Sequence, residues 1–140
     1  MAVNYFDYRA GLGNVGSYQA SAKPFLSSSI NISSSGDVVR IDFPNVTRFV
    51  TIKNIGSDDG GTDISMRVGF SENGTNAVEN NNYLLLANQE SYSADWRVTS
   101  LYLRVDTSGT FNATASVIAG MTAIDAGELQ HNWTGSSGVG

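Results

Sequence analysis

The chain has 140 residues, of which 41% are hydrophobic and only 15% are charged, and it contains 15 glycines and no cysteine. This length fits one domain with a sizeable core, and the lack of cysteine excludes disulfides and thiolate chemistry. The formal net charge of -5 and the pI near 4.5 argue against nucleic acid as a partner, because binding to a phosphate backbone needs clustered Lys and Arg.

Residues 1–26 are rich in Gly, Ser and Tyr and show no sustained hydrophobic period, which predicts an extended N-terminal arm. The first residues lack a basic segment followed by an apolar one, so we expect no cleaved leader. No stretch approaches the roughly 20 apolar residues that a membrane span needs. We therefore expect a soluble chain with no membrane partner.

Within this arm, Gly11, Gly13 and Gly16 spell the G-x-G-x-x-G pattern that holds a pyrophosphate where a strand meets a helix. The preceding residues VNYFDYRA are too polar for a buried parallel strand. The segment that follows contains Ser, Tyr18 and Pro24, which oppose a helix. We interpret the glycines as bends that let an extended arm cross a surface, and we predict no bound cofactor.

Residues 27–119 alternate apolar and polar side chains between turn signals, which is typical of half-buried strands. The clearest runs place on one face, in chain order, Val39, Ile41 and Phe43; Ile64, Met66, Val68 and Phe70; Tyr92, Ala94, Trp96 and Val98; and Leu101, Leu103 and Val105. RFVTIKNI and TFNATASVIAG complete the stronger set, while SSSINIS and NYLLLAN are weaker. Together these runs predict an all-β fold, an antiparallel β-sandwich or jelly roll of about eight strands.

Residues 120–140 differ in composition from the body and are predicted to form a C-terminal extension. The segment IDAGELQ is expected to form a helical turn, because Asp125 is placed to cap the amide of Glu128. The Gly/Ser-rich tail that follows carries one large aromatic residue, Trp133.

No set of residues in the sequence predicts catalysis. The single histidine, His131, has no second His or Cys with which to form a zinc site. No G-x-S-x-G elbow supplies a nucleophilic serine. Glu72, Glu79 and Glu90 are scattered through loops, with no pairing that glycoside hydrolysis would need. The sequence therefore predicts a protein that is not an enzyme and has no catalytic residues.

Asp58, Asp59 and Asp63 in SDDGGTD raise the question of calcium, because Ca²⁺ takes six to eight oxygen ligands. Their spacing lacks the order of an EF-hand loop. Asp and Gly are also the ordinary residues of turns. We interpret this segment as a turn and predict no metal site.

Aromatic side chains near both ends lie outside the alternating body, where a monomer would have difficulty burying them. They either fold back onto their own domain or anchor on a neighbouring subunit. We favour the second alternative, because exposed aromatic clusters mark interfaces. With the three glycines, the predicted interface comprises Tyr5, Phe6, Tyr8, Gly11, Gly13, Gly16, Tyr18 and Trp133.

Four stretches of the chain are GLGNVGSYQ near the start, IDFPNVTRFVTI and VGFSENG in the body, and IDAGELQHNWTGSSGVG at the close. They resemble small virion structural proteins of tailed phages, particularly marine and cyanobacterial ones. None of the four is a catalytic motif, so the resemblance carries over no functional residue. It implies a structural component of the virion, on the capsid surface or the tail.

We therefore expect a non-enzymatic protein that decorates or cements a capsid by contacting the major capsid protein or other virion proteins. We also expect a homo-oligomer, with a trimer as first choice, because a cysteine-free sandwich gains stability by extending its arms over neighbours. The alternative is a tail-associated or receptor-binding module. In that case the loops SENGTNAVENNNY and SDDGGTD would contact host glycan, and residues 79–83 would supply aromatic and polar groups.

Overall fold

The computed structural model describes residues 11–13, 15–19, 23–57, 63–76, 82–106, 109 and 111–129. Within these ranges the strands are β1 Lys23–Ile32, β2 Val39–Asp42, β3 Asn45–Ser57, β4 Met66–Gly69, β5 Tyr83–Leu86, β6 Ser91–Ala94, β7 Ser100–Val105 and β8 Ala113–Asp125. Two short α-helices, α1 Gly16–Gln19 and α2 Glu72–Asn76, and one 3-10 turn, Ala126–Glu128, complete the described elements.

The strands form two antiparallel sheets of four strands each, with the orders β1-β8-β3-β6 and β2-β7-β4-β5. Buried side chains from both sheets form one continuous core. The chain is therefore an all-β antiparallel β-sandwich, as the alternating pattern predicted. The pairing is nested, since the first strand lies beside the eighth, the second beside the seventh, the third beside the sixth and the fourth beside the fifth.

The two-residue period fills the core as expected for strands. In β7, Leu101 and Leu103 are fully buried, while the alternating residues Tyr102 and Arg104 are only half-buried. The inward side chains of β8 are mostly small, which leaves room for the larger side chains of the facing sheet. The inward set of β8 is Ala113, Ala115, Val117, Ala119 and Met121.

The run SYSADWRV forms a strand only as far as Ala94. Beyond that point the chain bonds to a side chain of β3 and leaves the ladder. The hydroxyl of Thr47 donates to the carbonyl of Trp96 at 2.6 Å and accepts from the amide of Val98 at 3.1 Å. Trp96 still packs against the core and Val98 is buried within it. The predicted inward direction of these side chains is therefore confirmed, although the strand is shorter than predicted.

The regular structure extends past both expected ends of the sandwich body. β1 begins at Lys23, within the segment assigned to the arm, and β8 runs to Asp125, within the expected C-terminal extension. The expectation that the residues after Gly16 oppose a helix was wrong for one turn, because α1 forms there. A backbone hydrogen bond of 3.0 Å from Tyr18 to Val15 closes this turn.

The helical turn predicted in IDAGELQ is confirmed as the 3-10 turn that follows β8. Asp125 caps it, although its carboxylate accepts from the amide of Gly127 at 3.1 Å and not from that of Glu128. The tighter geometry of a 3-10 turn brings the earlier amide within reach. No helix in the described part of the chain has the length and apolar character needed to cross a membrane.

Candidate functional site

Both ends of the described chain meet at one end of the sandwich, in a small hydrophobic cluster separate from the main core. Leu12 and Tyr18 pack there against three buried residues, Val46, Ile124 and Leu129. We call this group the end cluster. Val46 and Ile124 are fully buried, so the cluster joins the N-terminal segment to the start of β3 and the end of β8.

Tyr18, a predicted interface residue, folds back onto its own domain. Its ring is half-buried in the end cluster, and its hydroxyl donates to the carbonyl of Leu12 at 3.0 Å. This contact closes the loop that leads into α1. The structure thus shows for Tyr18 the arrangement that the sequence analysis favoured less, and a contact of its exposed part with a neighbour stays a prediction.

The other predicted interface residues fall into two groups. Gly11 and Gly13 face open space, since a Cβ atom at either position would meet nothing within 4 Å. Gly16 is the first residue of α1. The aromatic residues at the two ends of the chain lie outside the described residues, and their interface role stays a prediction: Tyr5, Phe6, Tyr8 and Trp133.

Two shallow grooves adjoin the end cluster, and each mixes positive and negative side chains. The first has a volume of about 420 Å³ and is lined by Tyr18, Thr47, Arg48, Asp95 and Arg97. The second has a volume of about 290 Å³ and is lined by Arg40, Asp42, Phe43, Thr99, Ala126, Gly127 and Leu129. Leu12 and Tyr18, which are only partly buried, place apolar surface near these charged grooves, and apolar surface with a polar rim is the usual anatomy of a protein interface.

Arg40 keeps its charge in the second groove. Its Nε donates to a carboxylate oxygen of Asp42 at 2.7 Å, with both side chains more than half exposed. This hydrogen bond, helped by the nearby Tyr102, raises the pKa of Arg40 above its usual value. Arg40 therefore stays charged, but because both side chains are exposed, solvent weakens the contribution of the pair to stability.

The outer face of the second sheet is covered in part by α2. Arg67 and Arg104 are neighbours across β4 and β7, and both donate to the carbonyl of Asn76 at 3.3 Å. Arg67 also pairs with Asp106 at 2.8 Å, and its guanidinium lies 4.5 Å from the ring centre of Tyr83. Cations at the carbonyl end of a helix are favourable, so these contacts hold α2 on the sheet.

The sequence analysis offered Tyr83 as a platform for glycan, but the guanidinium of Arg67 covers one face of its ring. The neighbouring residues 77–81 lie outside the described residues. A different aromatic group is open at the edge of the sandwich. Trp96 meets Phe70 edge to face, with ring centres 4.9 Å apart, and Tyr92 at 5.6 Å. Tyr92 is 44% exposed.

This aromatic cluster was missed as a unit by the sequence analysis. The alternation in SYSADWRV placed Tyr92 and Trp96 on one face, which is the part of the signal that a single chain contains. Phe70 follows β4 in the other sheet, so its contact with Trp96 depends on how the two sheets pack.

The aspartate-rich turn shows no metal site in its described part. Asp63 accepts a hydrogen bond of 2.7 Å from the side-chain amide of Asn88, while Asp58, Asp59 and His131 lie outside the described residues. Among the residues that the structure describes, no three His, Cys, Asp or Glu side chains come close enough to share a metal ion.

Comparison with known proteins adds no assignment. No protein-family model matches the chain, and no curated protein matches it. A functional conclusion therefore has to come from the sequence and the geometry.

Proposed function

We propose that this protein is a non-enzymatic structural protein of a virion, which decorates or cements a tailed-phage capsid through contacts between subunits. The observation that carries the proposal is the end cluster. Leu12 and Leu129 both lie there, so the first and the last described parts of the chain meet at this cluster, and residues 1–10 and 130–140 are connected to it in sequence. These two segments contain four aromatic residues, Tyr5, Phe6, Tyr8 and Trp133. Aromatic residues are the usual anchors of interfaces.

We infer further that the sandwich is a jelly roll. The nested pairing of first with eighth, second with seventh, third with sixth and fourth with fifth strand is that of one long antiparallel hairpin wrapped into two sheets. Eight-stranded double-sheet jelly rolls are typical of viral capsid and lectin domains. This architecture supports the virion role, although a fold alone does not define a function.

The partner in this proposal is the major capsid protein or another virion protein, located at the capsid surface. The two grooves supply Arg and Asp side chains, and the partly buried Leu12 and Tyr18 of the end cluster supply apolar surface beside them. A chain that binds only the assembled shell stabilises it by RT ln(1 + [L]/Kd), about 2.7 kcal/mol at a hundredfold excess over Kd. Many copies per particle multiply this effect.

A truncation tests the proposal. Since Leu12 and Tyr18 belong to the end cluster, the deletion has to stop at residue 10. We expect the chain lacking residues 1–10 to fold with an unchanged circular dichroism spectrum but to bind particles assembled without this protein more weakly than the full chain. Binding is measured by co-sedimentation, and electron microscopy locates the added chain.

A matched control is the variant Leu12→Ala, which leaves residues 1–10 in place and weakens the end cluster. It is expected to lower the melting temperature while retaining particle binding below that temperature. Undiminished binding of the truncated chain, or a failure of the full chain to bind any particle, would contradict the proposal.

A second candidate function is glycan binding by a tail-associated module, and the aromatic cluster favours it. Tyr92 presents nearly half of its surface at the edge of the sandwich, and Trp96 supports it from behind. Tyr and Trp combine an apolar ring with a polar tip and are suited to partly wet contacts. Binding to immobilised glycans that is lost in Tyr92→Ala but kept in Phe111→Ala, another exposed aromatic position, would favour this function. A low copy number per virion would point the same way.

A further inference from the structure

The two outer faces of the sandwich differ in charge. The outer face of the second sheet carries Arg40, Arg67 and Arg104, with carboxylates beside them. The outer face of the first sheet is formed by residues 24–31 of β1, residues 49–55 of β3, and the parts of β6 and β8 that lie opposite them. Among the described residues of this face that point outward, Lys53 is the only one with a charged side chain.

The middle of this face carries no charge and includes two apolar side chains that are open to solvent. One row across the sheet consists of Leu26, Ile118, Thr51 and Ser93, each directly opposite the next. Leu26 is 71% exposed and Ile118 is 47% exposed. The adjacent row consists of Pro24, Gly120 and Phe49. We call these two rows the Leu26 face.

The exposure of Ile118 follows from the sheet register. Its neighbours in β8, Val117 and Ala119, are buried in the core, so the alternation of side chains sends Ile118 outward. β8 lies between β1 and β3. An apolar side chain at this place stands in the interior of a sheet face, where it can be covered only by something that packs on the face.

The β1 edge of the same sheet is protected against pairing with another strand, and the other edge strand, β6, is only four residues long. β1 begins with Lys23 and Pro24, and its register shifts between Ser27 and Ile30. Ser29 has a positive φ of 59°. Charged residues, proline and bulges on an edge strand all hinder the addition of a further strand. A partner is therefore expected on the face and not along the edge.

We propose that the Leu26 face is the surface through which two copies of this chain meet, packed face to face around a two-fold axis. A single patch that contacts its own copy gives a closed dimer. Each chain carries a net charge of -5, and such a charge opposes association. The Leu26 face lacks carboxylates, so contact there brings the two negative chains together where their repulsion is weakest.

The size of the face fits a small, weak interface. Three of its strands contribute about eight residues each and β6 contributes four, so with about 4.8 Å between strands and about 3.3 Å per residue the face covers roughly 440 Å². Two copies would bury roughly 900 Å² in total, which is in the range of weak interfaces. The inference deepens the homo-oligomer expected in the proposed function and replaces its trimer by a dimer.

The experiment is a measurement of mass in solution with the full chain, by light scattering after gel filtration and by sedimentation equilibrium. We expect the wild-type chain to have twice its 14.9 kDa. Leu26→Glu and Ile118→Glu each place two like charges across the two-fold axis, and each is expected to raise the dimer Kd by about 100-fold, as for a central interface residue. Ile118→Thr, which retains a β-branched side chain, provides a milder test if the glutamate variant fails to fold.

The matched control is Leu85→Glu. Leu85 is also 47% exposed and faces outward, but it lies on the second sheet opposite Arg67. Leu85→Glu should leave the Kd unchanged. A wild-type mass of one or three chains, an undisturbed dimer in both Leu26→Glu and Ile118→Thr, or equal dissociation by Leu85→Glu would overturn the inference.

A crosslinking test is independent of affinity. The chain has no cysteine, so Thr51→Cys introduces a single thiol in the row beside Ile118, and Leu85→Cys introduces one on the other sheet. A short bis-maleimide should join two copies of the first variant and not of the second. Equal crosslinking of both would count against the Leu26 face. If the chain forms a dimer but binds no particle, the proposed virion role is wrong and the dimer is not affected. If the chain binds particles as a monomer, the dimer is wrong and the proposed virion role is not affected.

Discussion

Replacing Asn54 by alanine should destabilise the sandwich more than any surface substitution. Asn54 lies in β3, is fully buried and points into the space between the two sheets. Its side-chain amide donates to the carbonyls of Ile64 at 2.6 Å and Leu86 at 3.2 Å. Its oxygen accepts from the amide of Gly56 at 3.0 Å. One side chain thus joins the first sheet to the second.

The size of the effect follows from the hydrogen bonds that the alanine cannot make. Two of the three bonds are buried and the bond to Ile64 is partly buried. Each contributes about 1 kcal/mol net, and the small cavity left by the amide adds to this. We therefore expect Asn54→Ala to lower the free energy of unfolding by about 3 kcal/mol. For a domain of this size that is a decrease of roughly 10 °C in melting temperature.

The assay is urea unfolding at fixed protein concentration, followed by circular dichroism and by tryptophan fluorescence. Asn31→Ala is the matched control, because Asn31 also lies in a strand but is exposed, and it should change the free energy by no more than about 0.5 kcal/mol. A loss of less than about 1 kcal/mol in Asn54→Ala, or equal losses in both variants, would refute the idea that this amide links the sheets.

Two further predictions concern the attachment of α2 to the second sheet. Gly69→Ala should lower the free energy of unfolding by about 1–3 kcal/mol, because the added Cβ atom would overlap a threonine hydroxyl of α2. Gly13→Ala is the control: a Cβ atom there meets open space, and the melting temperature should not change. Arg67→Ala removes the 2.8 Å ion pair between Arg67 and Asp106, whose side chains are 14% and 30% exposed, respectively. It should lower the free energy of unfolding by about 1–2 kcal/mol. Arg40→Ala removes an equally short but more exposed pair and should have little effect in the same denaturation assay; comparable losses at both arginines would be the contrary result.

Much of the fold could be predicted from the sequence, because burial on one face of a strand imposes a period of two on the residues. Each of the eight strands overlaps a segment identified from that period, including the two weaker ones, although β1, β3 and β8 extend beyond their segments. The ends of the elements were harder to predict. β1 continues through Ser27 and Ser29 across a bulge, and such a bulge depends on the partner strand and leaves no periodic signal.

The functional surfaces were less predictable, since they consist of residues that are far apart in the chain. Tyr18 was singled out as an aromatic anchor, but its packing against the end cluster depends on where the first and last elements meet. The aromatic cluster likewise needs Phe70 from one sheet and Trp96 from the other. Composition identifies such residues, and only the packing shows which of them are covered.

The outward side chains of the central strands explain why the two faces of the sandwich support different interpretations. In the second sheet, the interior strands β4 and β7 send out Arg67 and Arg104, whose charges are used within the chain to hold α2. In the first sheet, the interior strand β8 sends out Thr114, Ser116 and Ile118, which carry no charge. A monomer gains nothing from leaving a large aliphatic side chain at the centre of an uncovered sheet, because its transfer from water would contribute about 1.5–3 kcal/mol if it were buried. The contrast between the faces therefore favours self-association through the first sheet, and it leaves the two grooves beside the end cluster open to a different partner.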